Sequence, residues 1–311
     1  MSLALLCPGQ GGQHPRMFER VLAAPAAAPL LRAARKTLGR SPQALAGDEE
    51  RYRNAIAQPL VCAAALAHWR ALQPLLPAPG LALGYSVGEL AAHAIAGSFD
   101  DATCLQLAAR RAALMDAASP ADAGLLAVVG LPRSALETLL HRYQAALAID
   151  NGEDHAVLGG SRQALDALAA EARAQGARAC PLPVSVPAHT PWLRAAADGF
   201  AQELDRASLR APALAVLAGV DAQPARTPAR VRDTLAAQIA TTVRWRQAMA
   251  QALERGATVF LELGPGSALA RMARELAPQA EARSVEDFQT LEGVAEWVQR
   301  ACARAADSGV S

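Results

Sequence analysis

Leu81-Ala82-Leu83-Gly84-Tyr85-Ser86-Val87-Gly88-Glu89-Leu90 sets a short apolar run against a serine bracketed by glycines, and an alanine-rich helical stretch follows. Residues 84–88 fit G-x-S-x-G, in which a strand bends sharply into a helix and leaves a serine hydroxyl exposed at the turn. The glycines have a steric purpose, because a side chain at either would block the close crossing of strand and helix. The expected local structure is a strand over 81–85, a turn at Ser86 and a helix stopping near Gly97. A plainer reading uses the same residues: Ser86-x-x-Glu89 also matches a capping box, which would tie the hydroxyl to the helix N-terminus.

The same texture recurs on both sides of this stretch. Apolar runs at 3–7, 213–218 and 258–263 each lead into a glycine turn, namely Pro8-Gly9-Gln10-Gly11-Gly12-Gln13, Gly219-Val220-Asp221 and Gly264-Pro265-Gly266. Long Ala/Leu/Arg stretches of helical period lie between them, the pattern of strands and helices layered as α/β. Between 121 and 187 the pattern becomes strand 125–131, helix 134–143, strands 146–149 and 155–159, helix 162–175 and strand 178–184. That β-α-β-β-α-β order is the ferredoxin-like arrangement. It predicts a small domain over 121–187 inserted into a larger one formed by 1–120 and 188–311.

A chain of 311 residues that is 52% hydrophobic, 19% charged and 4% aromatic can bury a substantial core, which excludes disordered and collagen-like classes. Lys plus Arg number 30 against 29 Asp plus Glu, so no strong positive field exists to gather nucleic acid or anionic lipid. The five cysteines, at 7, 62, 104, 180 and 302, are scattered and form no C-x-x-C pair, against a disulfide framework or a zinc site. Leu3 to Cys7 is too short for a membrane span and lacks the basic residues of a signal peptide. The expectation is a cytoplasmic protein with no metal site and no membrane or nucleic-acid partner.

A serine of ordinary pKa needs a base to become a nucleophile. Six histidines are available. His93 follows Ser86 by seven residues on the same helix, about 10 Å along its axis, and is too far. His141 and His155 fall in the small unit, and His68 stands in an alanine-rich helix. His14, after the first glycine turn, and His189, in Ser185-Val186-Pro187-Ala188-His189-Thr190-Pro191, remain. Proline on both sides lowers the entropy cost of ordering that loop, although an ordinary loop histidine would look the same. The first glycine turn lacks the G-K-[ST] of a phosphate loop, and His14 occupies the third glycine position of G-x-G-x-x-G. It suits an oxyanion hole instead, with one N–H from Gln10 and the other from Val87. Helical spacing places Arg111 within the apolar stripe of Cys104, Leu107, Leu114 and Met115, with Arg110 turned about 100° away. A guanidinium on an apolar face needs an anion, supplied by the protein or by a substrate, unless it snorkels to the helix edge.

Taken together, residues 8–13, 84–90, Arg111 with Met115, Leu182-Pro183-Val184-Ser185-Val186-Pro187-Ala188-His189 and Glu262-Leu263-Gly264-Pro265-Gly266 resemble the malonyl-CoA:acyl-carrier-protein transacylases, in the same order and over nearly the whole chain. The G-Y-S-V-G-E-L form of the serine segment looks most like the epsilon, or transacylase, subunit of bacterial malonate decarboxylase. The resemblance implies an α/β-hydrolase-like large domain, an inserted ferredoxin-like small domain and an active site between them. It makes Ser86 the nucleophile, His189 the base, Arg111 the binder of the malonyl carboxylate, and Gln10 and Val87 the oxyanion-hole donors. Gln238 would hold the histidine ring through its backbone carbonyl, and Asn151 would line the cleft from the small domain. No bound cofactor is implied. The partners would be malonyl-CoA and an acyl carrier protein, here the decarboxylase carrier subunit. Tyr85 departs from the histidine usual before the serine in the fatty-acid enzymes, which opens the choice between that role and fatty acid or polyketide synthesis. A thioesterase would use the same serine and histidine and pass the acyl group to water.

Overall fold

Leu3–Cys7, Leu81–Gly84 and Val259–Glu262 are buried at every position. Strands without a solvated face belong in a parallel sheet covered on both sides. The computed structural model, which describes residues 3–308, has that arrangement. Its strands are β1 (Leu3–Cys7), β2 (Leu81–Gly84), β3 (Ala123–Val129), β4 (Ala146–Asp150), β5 (His155–Ser161), β6 (Arg178–Pro181), β7 (Ala215–Leu217), β8 (Val259–Glu262) and β9 (Glu281–Ser284). The larger sheet is parallel in the order β7-β2-β1-β8-β9. Among its cover helices, Asn54–Leu72 is buried over most of its length and Asp101–Ala118 packs beside it.

The register fixes where ligands can approach. Cys7 pairs with Gly84 and Leu6 with Glu262, so β1, β2 and β8 end together. The Pro8–Gln13 turn, Ser86 and the Gly264–Gly266 turn therefore emerge at one edge. In open α/β sheets that carboxyl edge is where ligands bind.

The second sheet is antiparallel in the order β4-β5-β3-β6. With helices Arg133–Tyr143 and Arg162–Ala174 it follows the expected β-α-β-β-α-β succession. Alternation along its strands divides the side chains: Leu126, Val128 and Leu158 join Leu136, Leu139 and Leu168 in a separate core, while Leu125, Ile149 and Val157 belong to the main one. β4 is also bonded to the large body, through Asp150 N–H to Val243 O at 2.9 Å and Val243 N–H to Ala148 O at 3.0 Å. Among the described residues, no helix is long and apolar enough to cross a membrane.

Several boundaries differ from the sequence reading. The strand expected over 178–184 stops at Pro181, and Pro183 follows; neither proline can donate to a ladder. The edge strand β9 has no counterpart in that reading. The capping box over Ser86 and Glu89 does not form: helix Gly88–Ile95 starts from Val87 without a side-chain cap, and the Glu89 carboxylate is engaged elsewhere.

Candidate active site

The turn at Ser86 is set by contact distances. A Cβ on Gly84 would lie 2.1 Å from Cα and N of Glu89, and one on Gly88 would lie 2.1 Å from the Cys7 carbonyl oxygen. Only hydrogen fits at either position, so strand β2 and helix Gly88–Ile95 cross in backbone contact. Ser86 itself adopts a left-handed φ of 55°. Such strain in a non-glycine residue is costly and is found where a side chain must be presented. Here it turns the hydroxyl to within 2.8 Å of His189 Nε2.

His189 is fixed from behind. Its backbone N–H donates to Ile239 O at 2.8 Å, and its Nδ1–H donates to Gln238 O at 2.6 Å. A carbonyl only accepts, so Nδ1 carries the proton and Nε2 is left to accept from Ser86. The residue is 1% exposed. Burial, and next the positive charge of Arg111, pushes its pKa down to about 3. The ring is therefore neutral at physiological pH, the state a general base requires.

Arg111 is 2% exposed. Among the described residues its side-chain hydrogen-bond partners are carboxamides: Nη1 donates to Gln58 Oε1 at 2.7 Å and Nη2 to Gln238 Oε1 at 3.2 Å. Burial lowers its pKa to about 10, so it stays charged at neutral pH. Arg110, one position along, is exposed and lies 3.9 Å from Glu203. The 3.6-residue period thus separated the two arginines correctly. A buried cation held by neutral oxygens is an incompletely compensated charge that a ligand carboxylate would complete.

A neutral imidazole on a serine hydroxyl, oriented by a main-chain carbonyl, can deprotonate that hydroxyl for attack on an acyl carbon. The acyl transferase domain family matches residues 5–298. The chain belongs to this family. It is 32% identical over 301 residues to the malonyl CoA-acyl carrier protein transacylase of Mycobacterium tuberculosis, covering 94% of this chain and 99% of that protein. Identity to the Escherichia coli K12 protein of the same name is 28% over 304 residues, covering 94% and 98% of the two chains. The solved malonyl CoA-acyl carrier protein transacylase of Coxiella burnetii superposes with a TM-score of 0.90 at 29% identity, covering 97% of this chain and 98% of that one. A malonyl-transacylase solved in complex with a type II polyketide acyl-carrier protein also gives 0.90, at 28% identity over 95% and 99% of the chains.

Gln10, Val87 and Asn151 lie beside the serine turn. A Cβ on Gly9 would lie 2.8 Å from Tyr85 O and 3.4 Å from Ser86 Cβ, so the loop carrying Gln10 rests on the serine turn. Gly11 N–H donates to Gln13 Oε1 at 2.5 Å, which clamps that loop. Val87 follows Ser86 at the start of helix Gly88–Ile95. Asn151, 3% exposed, accepts from the Tyr85 hydroxyl at 3.1 Å. A cleft of about 360 Å³ is lined by Gln10, Tyr85, Asn151, His155, Glu262 and Arg271, among others. A larger cavity, about 640 Å³, opens at the amino ends of β2 and β7, the edge opposite Ser86.

His14 is removed as a candidate base, because its Nε2 lies 2.7 Å from Glu286 Oε1. His93 pairs with Ser98 Oγ at 3.1 Å and His68 with Ala64 O at 3.0 Å. Two residues beside the site were given no role in it by the sequence reading. Gln58 is a fully buried amide in an apolar helix, and that isolation was its signal. Glu89 is equally buried; its Oε2 accepts from Gly219 N–H at 2.9 Å and from Gln238 Nε2 at 2.5 Å. A capping pattern had accounted for it without reference to the site.

Proposed function

We propose that this chain is a malonyl-CoA:acyl-carrier-protein S-malonyltransferase whose site lies in the cleft between residues 121–187 and the remainder of the chain. The observation that carries the reading is the Ser86 to His189 to Gln238 line with the buried Arg111 beside it. Ser86 attacks the thioester carbonyl of malonyl-CoA while its proton passes to His189 Nε2. The N–H groups of Gln10 and Val87 hold the resulting oxyanion. Collapse breaks the C–S bond, and the His189 proton leaves with the CoA thiol. The malonyl ester on Ser86 is then attacked by the carrier's pantetheine thiol, whose proton His189 takes and returns to Ser86 Oγ. Arg111 holds the malonyl carboxylate through both half-reactions.

Relatives named for transfer to an acyl carrier protein, one of them solved with a type II polyketide carrier, support a carrier of fatty acid or polyketide synthesis as the acceptor. Loading of a malonate decarboxylase carrier subunit is a second reading. It rests on Tyr85, whose phenol engages Asn151 where the fatty-acid enzymes usually place a histidine before the serine. Purified protein given malonyl-CoA with each carrier separates the two readings by the rate of thiol loading, and release of free malonate with neither loaded would indicate a hydrolase.

The role of Arg111 has its own test. Arg111→Ala is expected to lower kcat/KM for malonyl transfer by about 10²-fold, the scale of a lost charge-assisted contact, and that for acetyl transfer far less. Equal losses for both acyl groups would remove Arg111 from carboxylate recognition.

A further inference from the structure

Gln238 serves the site twice. Its main-chain carbonyl orients His189, and its side chain stands between Arg111 and Glu89. A carboxamide in that position has two orientations of the same shape. With Oε1 toward Arg111 it accepts from the guanidinium; flipped, it would set an NH2 against N–H donors and leave the cation short of an acceptor. What lies beyond the amide decides between them.

On the other side of Arg111 the direction comes from several acceptors. Asn54 Nδ2 donates to Ala112 O at 3.2 Å and to Asp116 Oδ1 at 2.8 Å, so Asn54 Oδ1 accepts from Gln58 Nε2 at 2.7 Å. Gln58 Oε1 then faces Arg111. On the Gln238 side the acceptor is Glu89 Oε2, anchored by Gly219 N–H. Gly219 leaves space for this packing, since a Cβ there would lie 3.1 Å from Glu89 Oε2 and 3.4 Å from Gln238 Nε2.

We propose that Glu89 is a positioning residue for acyl selection: it locks the Gln238 amide with its oxygen toward Arg111, and so holds the guanidinium in place for the substrate carboxylate. The inference rests on the malonyl-transfer reading above. It requires an acceptor at position 89 rather than a charge. Burial raises the Glu89 pKa to about 7, and a protonated carboxyl still offers an oxygen to Gln238. Glutamine at this position would do the same. Because His189 is oriented by the Gln238 backbone, losing the lock should affect capture of malonyl more than the chemical step.

The experiment measures kcat and KM separately for malonyl-CoA and acetyl-CoA in wild type, Glu89→Leu, Glu89→Gln, Gln238→Met and a double variant that combines Glu89→Leu with Gln238→Met. In Glu89→Leu and Gln238→Met, malonyl KM is expected to rise roughly tenfold with kcat falling less than about threefold, while acetyl KM moves little. Glu89→Gln should restore the malonyl KM to within about threefold of wild type. The double variant should lose no more than Gln238→Met alone, because Glu89 acts through that amide. Loss of malonyl capture in Glu89→Gln, equal losses for both acyl groups, or additive losses in the double variant would each overturn the proposal. Should Glu89→Leu not fold, Glu89→Ala, which also removes the acceptor, takes its place in the same comparisons. If wild type transfers neither acyl group, the malonyl-transfer reading fails before Glu89 is tested.

Discussion

His189 combines a neutral ring, a fixed tautomer and a hydroxyl at 2.8 Å, and the first of these has a kinetic consequence. With its pKa pushed down to about 3 by burial and by Arg111, the ring does not protonate as pH falls through the ordinary histidine range. We expect kcat/KM for malonyl-CoA to show no histidine-type fall between pH 8 and about pH 5, measured in buffers of constant ionic strength. An acid limb centred near 6.5 would mean that the ring is far more hydrated than this geometry allows. Ser86 was legible in the sequence through the glycines that bracket it, whereas the residues alone left His14 and His189 both open and the family resemblance selected His189. Arg111 was legible through helical phase. Glu89 and Gln58 were not, because their meaning depends on partners distant in the chain, Gln238 for Glu89 at a separation of 149 residues and Arg111 for Gln58 at 53.

At the level of elements, the serine turn exists because β2 and helix Gly88–Ile95 touch through glycines. Gly88→Ala would place a methyl group 2.1 Å from the Cys7 carbonyl oxygen, against backbone of a central strand that cannot yield. Its unfolding free energy is expected to fall by about 3 kcal/mol or more, measured by urea titration, beyond the usual cost of overpacking a core side chain. Gly47→Ala, where a Cβ meets nothing within 4 Å, is the control and should stay within about 0.5 kcal/mol of wild type. The buried strands were readable from their apolar runs. β9 was not: Glu281-Ala282-Arg283-Ser284 is an edge strand with alternate residues only half-buried, and four residues are too few to show a period. The end of β6 was overrun because apolar residues continue past Pro181, whereas after one more bond to β3, from Leu182 N–H to Leu125 O, Pro183 has no N–H to give.

Across the whole molecule, buried titratable groups set opposing pH limits on stability. His68, His93 and His189 fall from 6.5 to about 4, 3 and 3, so below pH 6.5 the unfolded chain binds protons that the fold refuses and stability drops. Glu89 and Glu262 rise from 4.5 to about 7 and 8, so the fold holds protons the unfolded chain has released, and that contribution is lost as pH climbs through those values. Below 6.5 the three histidines outweigh the two glutamates, at roughly 1.4 kcal/mol per pH unit for each net proton. Above 6.5 the glutamates act, joined near pH 8.5 by the Cys7 and Cys104 thiols, which burial pushes up, so that these too favour the fold less as pH climbs. The melting temperature should therefore peak near pH 6.5 and be lower at both pH 5 and pH 8.5; a steady climb across that range would contradict these burial effects. The whole fold brings Ser86 and His189, 103 residues apart in sequence, into hydrogen-bond contact for acyl transfer. The direct test is to mix the protein with malonyl-CoA in the absence of any carrier, quench in acid and map the peptides by mass. A malonyl ester on Ser86, absent in Ser86→Ala and formed at least about 10³-fold more slowly in His189→Ala, is the expected result. A malonyl group on another residue, or undiminished acylation in Ser86→Ala, would contradict it.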